Sequence, residues 1–150
     1  MGVEVELAAT ITDDIVDAFV RLTPQLSSSS PAPTKADLQA IADHDACSLL
    51  IARDVDGTIL GSMTLVTFPI PTGLRGWIED VVVDEAARGK GVGELLNLRA
   101  LEMAAAMGVK TVDLTSRPSR VAANKLYQKL GFVARETNVY RFAAPDQFTS

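Results

Sequence analysis

Apolar and polar residues alternate at the start of the chain, through Val3, Val5 and Leu7, and predict a strand near Val3–Ala8. The period then lengthens. Ile15, Val16, Phe19, Val20 and Leu22 recur at helical spacing behind Thr12, a candidate cap, with Asp13 and Asp14 in the first turn. A second helical stretch follows Thr34, with Leu38 and Ile41 on one face. The low-complexity segment Ser27 to Pro33 separates the two helices and predicts a loop. Ser48–Val55 and Thr58–Phe68 read as two strands of an antiparallel hairpin turned by Asp56-Gly57, with Pro69 and Pro71 ending the second strand.

Trp77–Val83 is apolar on both faces at Val81-Val82-Val83, the pattern of a central strand. A glycine-rich turn follows, and then a long helix from about Val92 to Met107, closed by Gly108. Val109–Thr115 predicts a strand, Ser119–Leu130 a helix ended by Gly131, and Phe132–Phe142 one or two final strands. The order β-α-α-β-β-β-α-β-α-β predicts an α/β (α+β) fold in which helices pack on a mixed sheet. No repeat with a period of tens of residues is present.

The chain has 150 residues, a length that suits one domain over 1–150. It is 47% apolar and 22% charged, ordinary for a packed fold and too apolar for disorder. A formal net charge of −5 argues against a nucleic-acid or anionic-membrane binder, because binding phosphates needs a basic face. A lone cysteine, Cys47, allows no internal disulfide, and no cluster has metal-ligand spacing, so no metal is expected. Met1 to Thr10 does not read as a signal peptide, no run is long enough for a membrane helix, and the cytoplasm is the expected location. Charge is uneven: residues 1–50 carry net −6 and residues 84–130 net +3. The second segment is where an anion is expected.

The sharpest chemical signal lies in that segment, at Arg88-Gly89-Lys90-Gly91-Val92-Gly93-Glu94. Glycines at alternate positions let successive backbone N–H groups converge on an anion. The same groups are the unpaired donors of the following helix's first turn, and Arg88 and Lys90 add fixed positive charge. A phosphate or pyrophosphate site is therefore expected. A Walker loop is excluded, since Lys90 is followed by Gly91 and not by Ser or Thr. A dinucleotide fingerprint lacks its third glycine, where Glu94 stands, although Asp113 lies about twenty residues on, as a ribose-binding acid would. A dinucleotide-binding enzyme stays open as the weaker alternative.

Arg88-x-x-Gly91-x-Gly93 resembles the Q/R-x-x-G-x-G/A motif of the GNAT superfamily of acyl-CoA N-acyltransferases. Ile78-Glu79-Asp80-Val81-Val82-Val83-Asp84 is similar to that family's fourth strand. Asn124 to Phe132, with Leu126-Tyr127 and Gly131-Phe132, resembles its tyrosine helix and the strand after it. The resemblance is strong over residues 77–132. It implies a mostly antiparallel sheet with a splayed central strand pair and helices on both faces. It implies acetyl-CoA as co-substrate and acyl transfer to the amine of a small-molecule or peptide acceptor. The backbone of Val81, Val82 and Val83 would line the pantetheine arm. The pyrophosphate would lie on the N–H groups of Gly89, Lys90, Gly91, Val92, Gly93 and Glu94 beside Arg88, with Asn124 and Tyr127 also at the cofactor. The position seven residues before the tyrosine, where many members carry a cofactor-binding Asn, is Arg120 here. Homodimers are common in the family. A non-catalytic acyl-CoA-binding sensor is the competing class.

Amide formation needs a neutral amine. A lysine-like amine with pKa ~10.4 is about 3.4 units from neutral at pH 7, a cost of roughly 4.6 kcal/mol that a nearby carboxylate lowers by taking the proton. Glu79 and Asp80 are adjacent on a strand and so point to opposite faces unless a bulge intervenes. Glu79 is the candidate base, with Asp80 or a water chain as alternatives. The resemblance implies that Tyr127 hydrogen-bonds or protonates the departing thiolate. Full transfer from a phenol near 10 to a thiolate near 8.5 is uphill by about 2 kcal/mol, which favours the hydrogen bond. The loop Thr23–Thr34 is a candidate substrate gate by resemblance. Arg117 and Arg120 would suit an acidic acceptor, and surface arginines explain them equally well. His44 reads as a helix-ending residue and Cys47 as a small core residue.

Overall fold

The computed structural model describes residues 2–145. They fall into two compact units that divide after Arg117. The first holds β1 (Glu4–Leu7), α1 (Asp13–Leu26), α2 (Lys35–Asp43), β2 (Cys47–Arg53), β3 (Ile59–Ile70), β4 (Gly73–Val83), a single 3-10 turn over Glu85–Ala87, α3 (Val92–Ala106) and β5 (Thr111–Asp113). The second holds α4 (Val121–Lys129).

The five strands form one sheet in the order β1-β2-β3-β4-β5. The first four are antiparallel neighbours, and only β4 and β5 run parallel. This is the mixed, mostly antiparallel α/β arrangement expected, and it is not the doubly wound parallel sheet of a dinucleotide enzyme. The hairpin between β2 and β3 turns where Asp56-Gly57 places it. Gly57 takes the left-handed conformation (φ 89°), its N–H donates to the Asp54 carbonyl, and the Asp54 N–H donates to the Thr58 carbonyl.

Alternation along the strands divides the core. Leu49, Ile51, Ile59 and Val82 pack with Ile11, Ile15, Ala18 and Leu22 of the α1 segment and with Leu38 of α2. The opposite face meets α3, whose Leu96 approaches Gly61. Helices therefore cover both faces. Thr34 caps α2 through a reciprocal box with Asp37: the Asp37 N–H donates to Thr34 Oγ1, and the Thr34 N–H donates to Asp37 Oδ2. His44 stands at the other end of α2, where its Nδ1 accepts from the Ala46 N–H.

Several boundaries differ from expectation. Thr12 occupies the N-cap position of α1, but its hydroxyl donates to the Asp14 carboxylate and accepts nothing from the backbone. α1 runs on through Pro24 to Leu26, so the following loop starts at Ser27. Pro69 lies inside β3, opposite Leu74, because the strand end there needs no N–H from it. β4 begins at Gly73, four residues before Trp77, and β5 shrinks to three residues. Cys47 is half buried rather than in the core. No strand forms over residues 132–145. The expected final strands are absent there, and β5 is the edge of the described sheet. Within the described sheet the strands part between β4 and β5, past Trp77.

Candidate active site

β4 carries the acidic pair, and its register explains how they are displayed. Thr64 of β3 opposes Glu79, while Ser62, two residues away, opposes Val82, three residues away. One extra residue is therefore inserted in β4, a β-bulge at Asp80-Val81. Asp80 accommodates it with φ 53°, alone among the described non-glycine residues in the left-handed region. Asp tolerates this conformation better than most side chains. The bulge also inverts the alternation, so that Glu79 shares the face of Val82, the one covered by α1 and α2. An unbroken strand would have put Glu79 on the other face.

Glu79 and Asp80 are both exposed, in different settings. Glu79 Oε1 accepts a hydrogen bond from Trp77 Nε1 at 2.5 Å. Partial desolvation pushes the Asp80 carboxyl up from the ordinary aspartate value, and the neighbouring Glu79 charge pushes it further in the same direction.

The parallel pair β4–β5 is held at three positions, Arg75↔Thr111, Gly76↔Val112 and Trp77↔Asp113. Past Trp77, Ile78, Glu79, Val82 and Val83 pair with β3 alone, and Asp80-Val81 form the bulge. The Asp84 N–H donates to the Leu60 carbonyl at 2.8 Å, so by alternation Val82 bonds toward β3 and Val83 directs its N–H and C=O to the open side. Val82 is buried, and Val81 and Val83 are half buried. An extended ligand with amide groups fits this free strand edge.

The glycine-rich turn follows immediately. Gly89 (φ 81°) and Gly91 (φ 78°) are both left-handed, and Gly91 is the N-cap of α3. Open space surrounds both, so conformation and not crowding demands glycine there. Among the described residues nothing accepts from the N–H groups of Gly91, Val92 and Gly93, whereas the Lys90 N–H donates to the Ala87 carbonyl at 3.3 Å. Lys90 is thus set apart from the other donors of the turn. Its amide closes the turn, and only its side chain is left to meet an anion. Arg88 and Lys90 are exposed, with no ion-pair partner among the described residues. Behind the turn Asn97 is fully buried, and its Nδ2 donates to the Gly93 carbonyl at 2.8 Å. Sequence reading missed this residue, because an Asn inside a helix gives no local sign of which way it points.

In the second unit, Tyr127 of α4 is buried and meets Phe132 edge to face, with ring centroids 5.7 Å apart. Burial pushes its hydroxyl up from the usual tyrosine value, the charge of Arg120 working against it. At neutral pH it is a proton-bearing donor. Asn124 lies half buried one helical turn earlier. Among the described residues no group of His, Cys, Asp and Glu could hold a metal ion, and no helix is long and apolar enough to cross a membrane.

Comparison with known proteins agrees with this geometry. The profile of the acetyltransferase (GNAT) family matches residues 12–132. The chain is 34% identical to glucosamine 6-phosphate N-acetyltransferase 1 of Oryza sativa subsp. japonica, over 84% of this chain and 79% of that protein. It is 37% identical to a mycothiol acetyltransferase of Beutenbergia cavernae, but over 55% of this chain and only 27% of that longer protein. Among solved structures, an acetyltransferase of Trypanosoma brucei superposes with TM-score 0.75 at 27% identity, over 94% of this chain and 99% of that one.

Proposed function

Because the chain belongs to the GNAT acetyltransferase family and is an acyltransferase, we propose that it moves the acetyl group of acetyl-CoA to the primary amine of a small polar acceptor by direct attack in a ternary complex. The observation that carries this reading is the meeting of three features on one stretch of chain. These are the unpaired edge of β4 beyond Trp77, the free N–H groups of Gly91, Val92 and Gly93, and the carboxylate pair at the bulge.

The residues fit acetyl-CoA. Val81 and Val83 would receive the pantetheine arm along the open edge. The turn from Gly89 to Glu94, with the side chains of Arg88 and Lys90, would hold the pyrophosphate. When bound, the thioester supplies an activated acetyl group. The protein supplies proton management. Glu79 accepts the amine's proton, directly or through water, and Asp80 stands next to it as the alternative acceptor. Tyr127 offers its hydroxyl hydrogen to the leaving sulfur. Its raised pKa supports a hydrogen bond over complete transfer, since the uphill gap to a thiolate near 8.5 widens from about 2 kcal/mol. Among the described residues none is arranged to carry a covalent acetyl group, which supports direct attack. Asn124 we assign to the cofactor side of α4, and the loop after Leu26 to the acceptor entrance.

The acceptor class draws support from the rice relative, whose name specifies an amino sugar phosphate. A homodimer draws support from residues 132–145, which leave Val133, Val139, Tyr140 and Phe142 at 82%, 72%, 87% and 85% exposure, apolar surface that a second copy would cover. The test of function is thiol release from acetyl-CoA across a panel of amines. The panel includes glucosamine 6-phosphate, unphosphorylated amino sugars, amino acids, polyamines and a peptide N-terminus. Amine-dependent release with a small primary amine supports the reading. Acetyl-CoA binding with no release across the panel overturns it in favour of an acyl-CoA sensor.

A further inference from the structure

Trp77 is the last residue of β4 with a strand on each side. It pairs with Val66 of β3 and with Asp113 of β5. Glu79 lies two residues on, on the same face of the strand, and pairs with Thr64 of β3 alone. The indole Nε1 crosses this step and donates to Glu79 Oε1 at 2.5 Å. We propose that Trp77 is a positioning residue for acetyl transfer: its indole N–H holds the Glu79 carboxylate in the orientation from which it accepts the amine's proton. The inference rests on the reading of Glu79 as proton acceptor.

The physical case is one of order carried past a fork. A glutamate on an exposed strand edge has several free side-chain torsions, and fixing it costs rotamer entropy. An indole has two torsions and one directed donor, and the backbone beneath Trp77 is tied on both sides. The bond engages Oε1 and leaves Oε2 for the amine or an intervening water. A bond from N–H to an ionised carboxylate is also among the stronger hydrogen bonds a side chain makes. Phenylalanine keeps an aromatic ring at this position and removes the donor together with the second ring of the indole.

Trp77 is the sole tryptophan, so the full chain gives one indole resonance in a proton–nitrogen correlation spectrum. In the parent protein it is expected downfield and protected from exchange. Glu79→Ala moves it to the position of a solvated indole. Glu79→Gln, whose amide oxygen still accepts, leaves it near the parent position. In kinetics, Trp77→Phe lowers kcat about tenfold, with the KM for acetyl-CoA within about twofold, and has no further effect in the Glu79→Ala background. Circular dichroism of each variant matches the parent.

An indole resonance unmoved by Glu79→Ala overturns the clamp. Equal losses from Trp77→Phe in the parent and Glu79→Ala backgrounds overturn the positioning role while leaving Glu79 as proton acceptor. A kcat untouched by Glu79→Ala removes the proton-acceptor reading and the positioning role together.

Discussion

A methyl group on Gly61 would stand 2.6 Å from the carbonyl oxygen of Val82. β3 and β4 come this close immediately beside the bulge, where Gly61 opposes Val83 and Ser62 opposes Val82. Glycine at 61 is thus required by the strand that displays the acidic pair, and not by a turn. Gly61→Ala must push the Val82 carbonyl aside or separate the strands. A loss of about 2 kcal/mol is expected, within the usual range for overpacking, measured as a lower urea midpoint with unchanged slope. Acetyl-CoA affinity should fall too, because Val83 is displaced with its neighbour. An unaltered midpoint would show that β4 accommodates the methyl freely.

Asp80 holds a carboxyl pushed up by partial desolvation and by the Glu79 charge. The native state therefore binds its proton more tightly than the unfolded chain. Stability falls as pH rises from the unfolded value near 3.8 through the higher native value, and the cost persists at neutral pH. Asp80→Asn, which keeps a side chain tolerant of φ 53°, should raise Tm at pH 7 and lose that advantage toward pH 4. A Tm difference independent of pH would contradict the assignment. The activity of the same variant should drop if Asp80 assists Glu79, as expected of a site that gives up stability for function.

Gly91 sits at φ 78° at the head of α3 with open space around it. Gly91→Ala places a β-carbon in the left-handed region at a cost of about 1–2 kcal/mol. Relaxing that strain turns away the N–H groups of Gly91 and Val92. Titration calorimetry should show acetyl-CoA binding about tenfold weaker, the affinity equivalent of ~1.4 kcal/mol. Binding at parental strength would place the pyrophosphate elsewhere.

Tyr127 is buried with its hydroxyl protonated. Tyr127→Phe should lower kcat by about tenfold to a hundredfold, the span of one catalytic hydrogen bond, and leave acetyl-CoA affinity within about twofold. The contact between Tyr127 and Phe132 survives the change, so Tm should hold. An unchanged kcat where chemistry limits the rate would assign the tyrosine to packing.

Local chemistry was legible in the sequence. Asp56-Gly57 set its hairpin, Thr34 marked the cap of α2, and the alternating glycines from Gly89 to Gly93 marked a turn with bared N–H groups. The bulge was not legible. Nothing in Glu79-Asp80-Val81 distinguishes an inserted residue from continuous pairing, because the insertion is a relation between β3 and β4. Phe132–Phe142 misled for a related reason. Its aromatic and β-branched residues describe a chain that fits a half-buried sheet surface, and the described sheet ends at β5 without offering it one. Lys90 shows the finer limit. Its residue type suits an anion site, yet its amide is taken by the Ala87 carbonyl. The role of Trp77 was not legible, because a strand pattern does not show which way an indole N–H points.

The most direct test of direct transfer is initial-velocity kinetics with acetyl-CoA and the best amine varied together, following free CoA. Attack within a ternary complex predicts intersecting double-reciprocal lines and no release of CoA before the amine is added. Parallel lines, with a burst of CoA in the absence of amine, would mean that the acetyl group rests on the protein first, and would contradict the account.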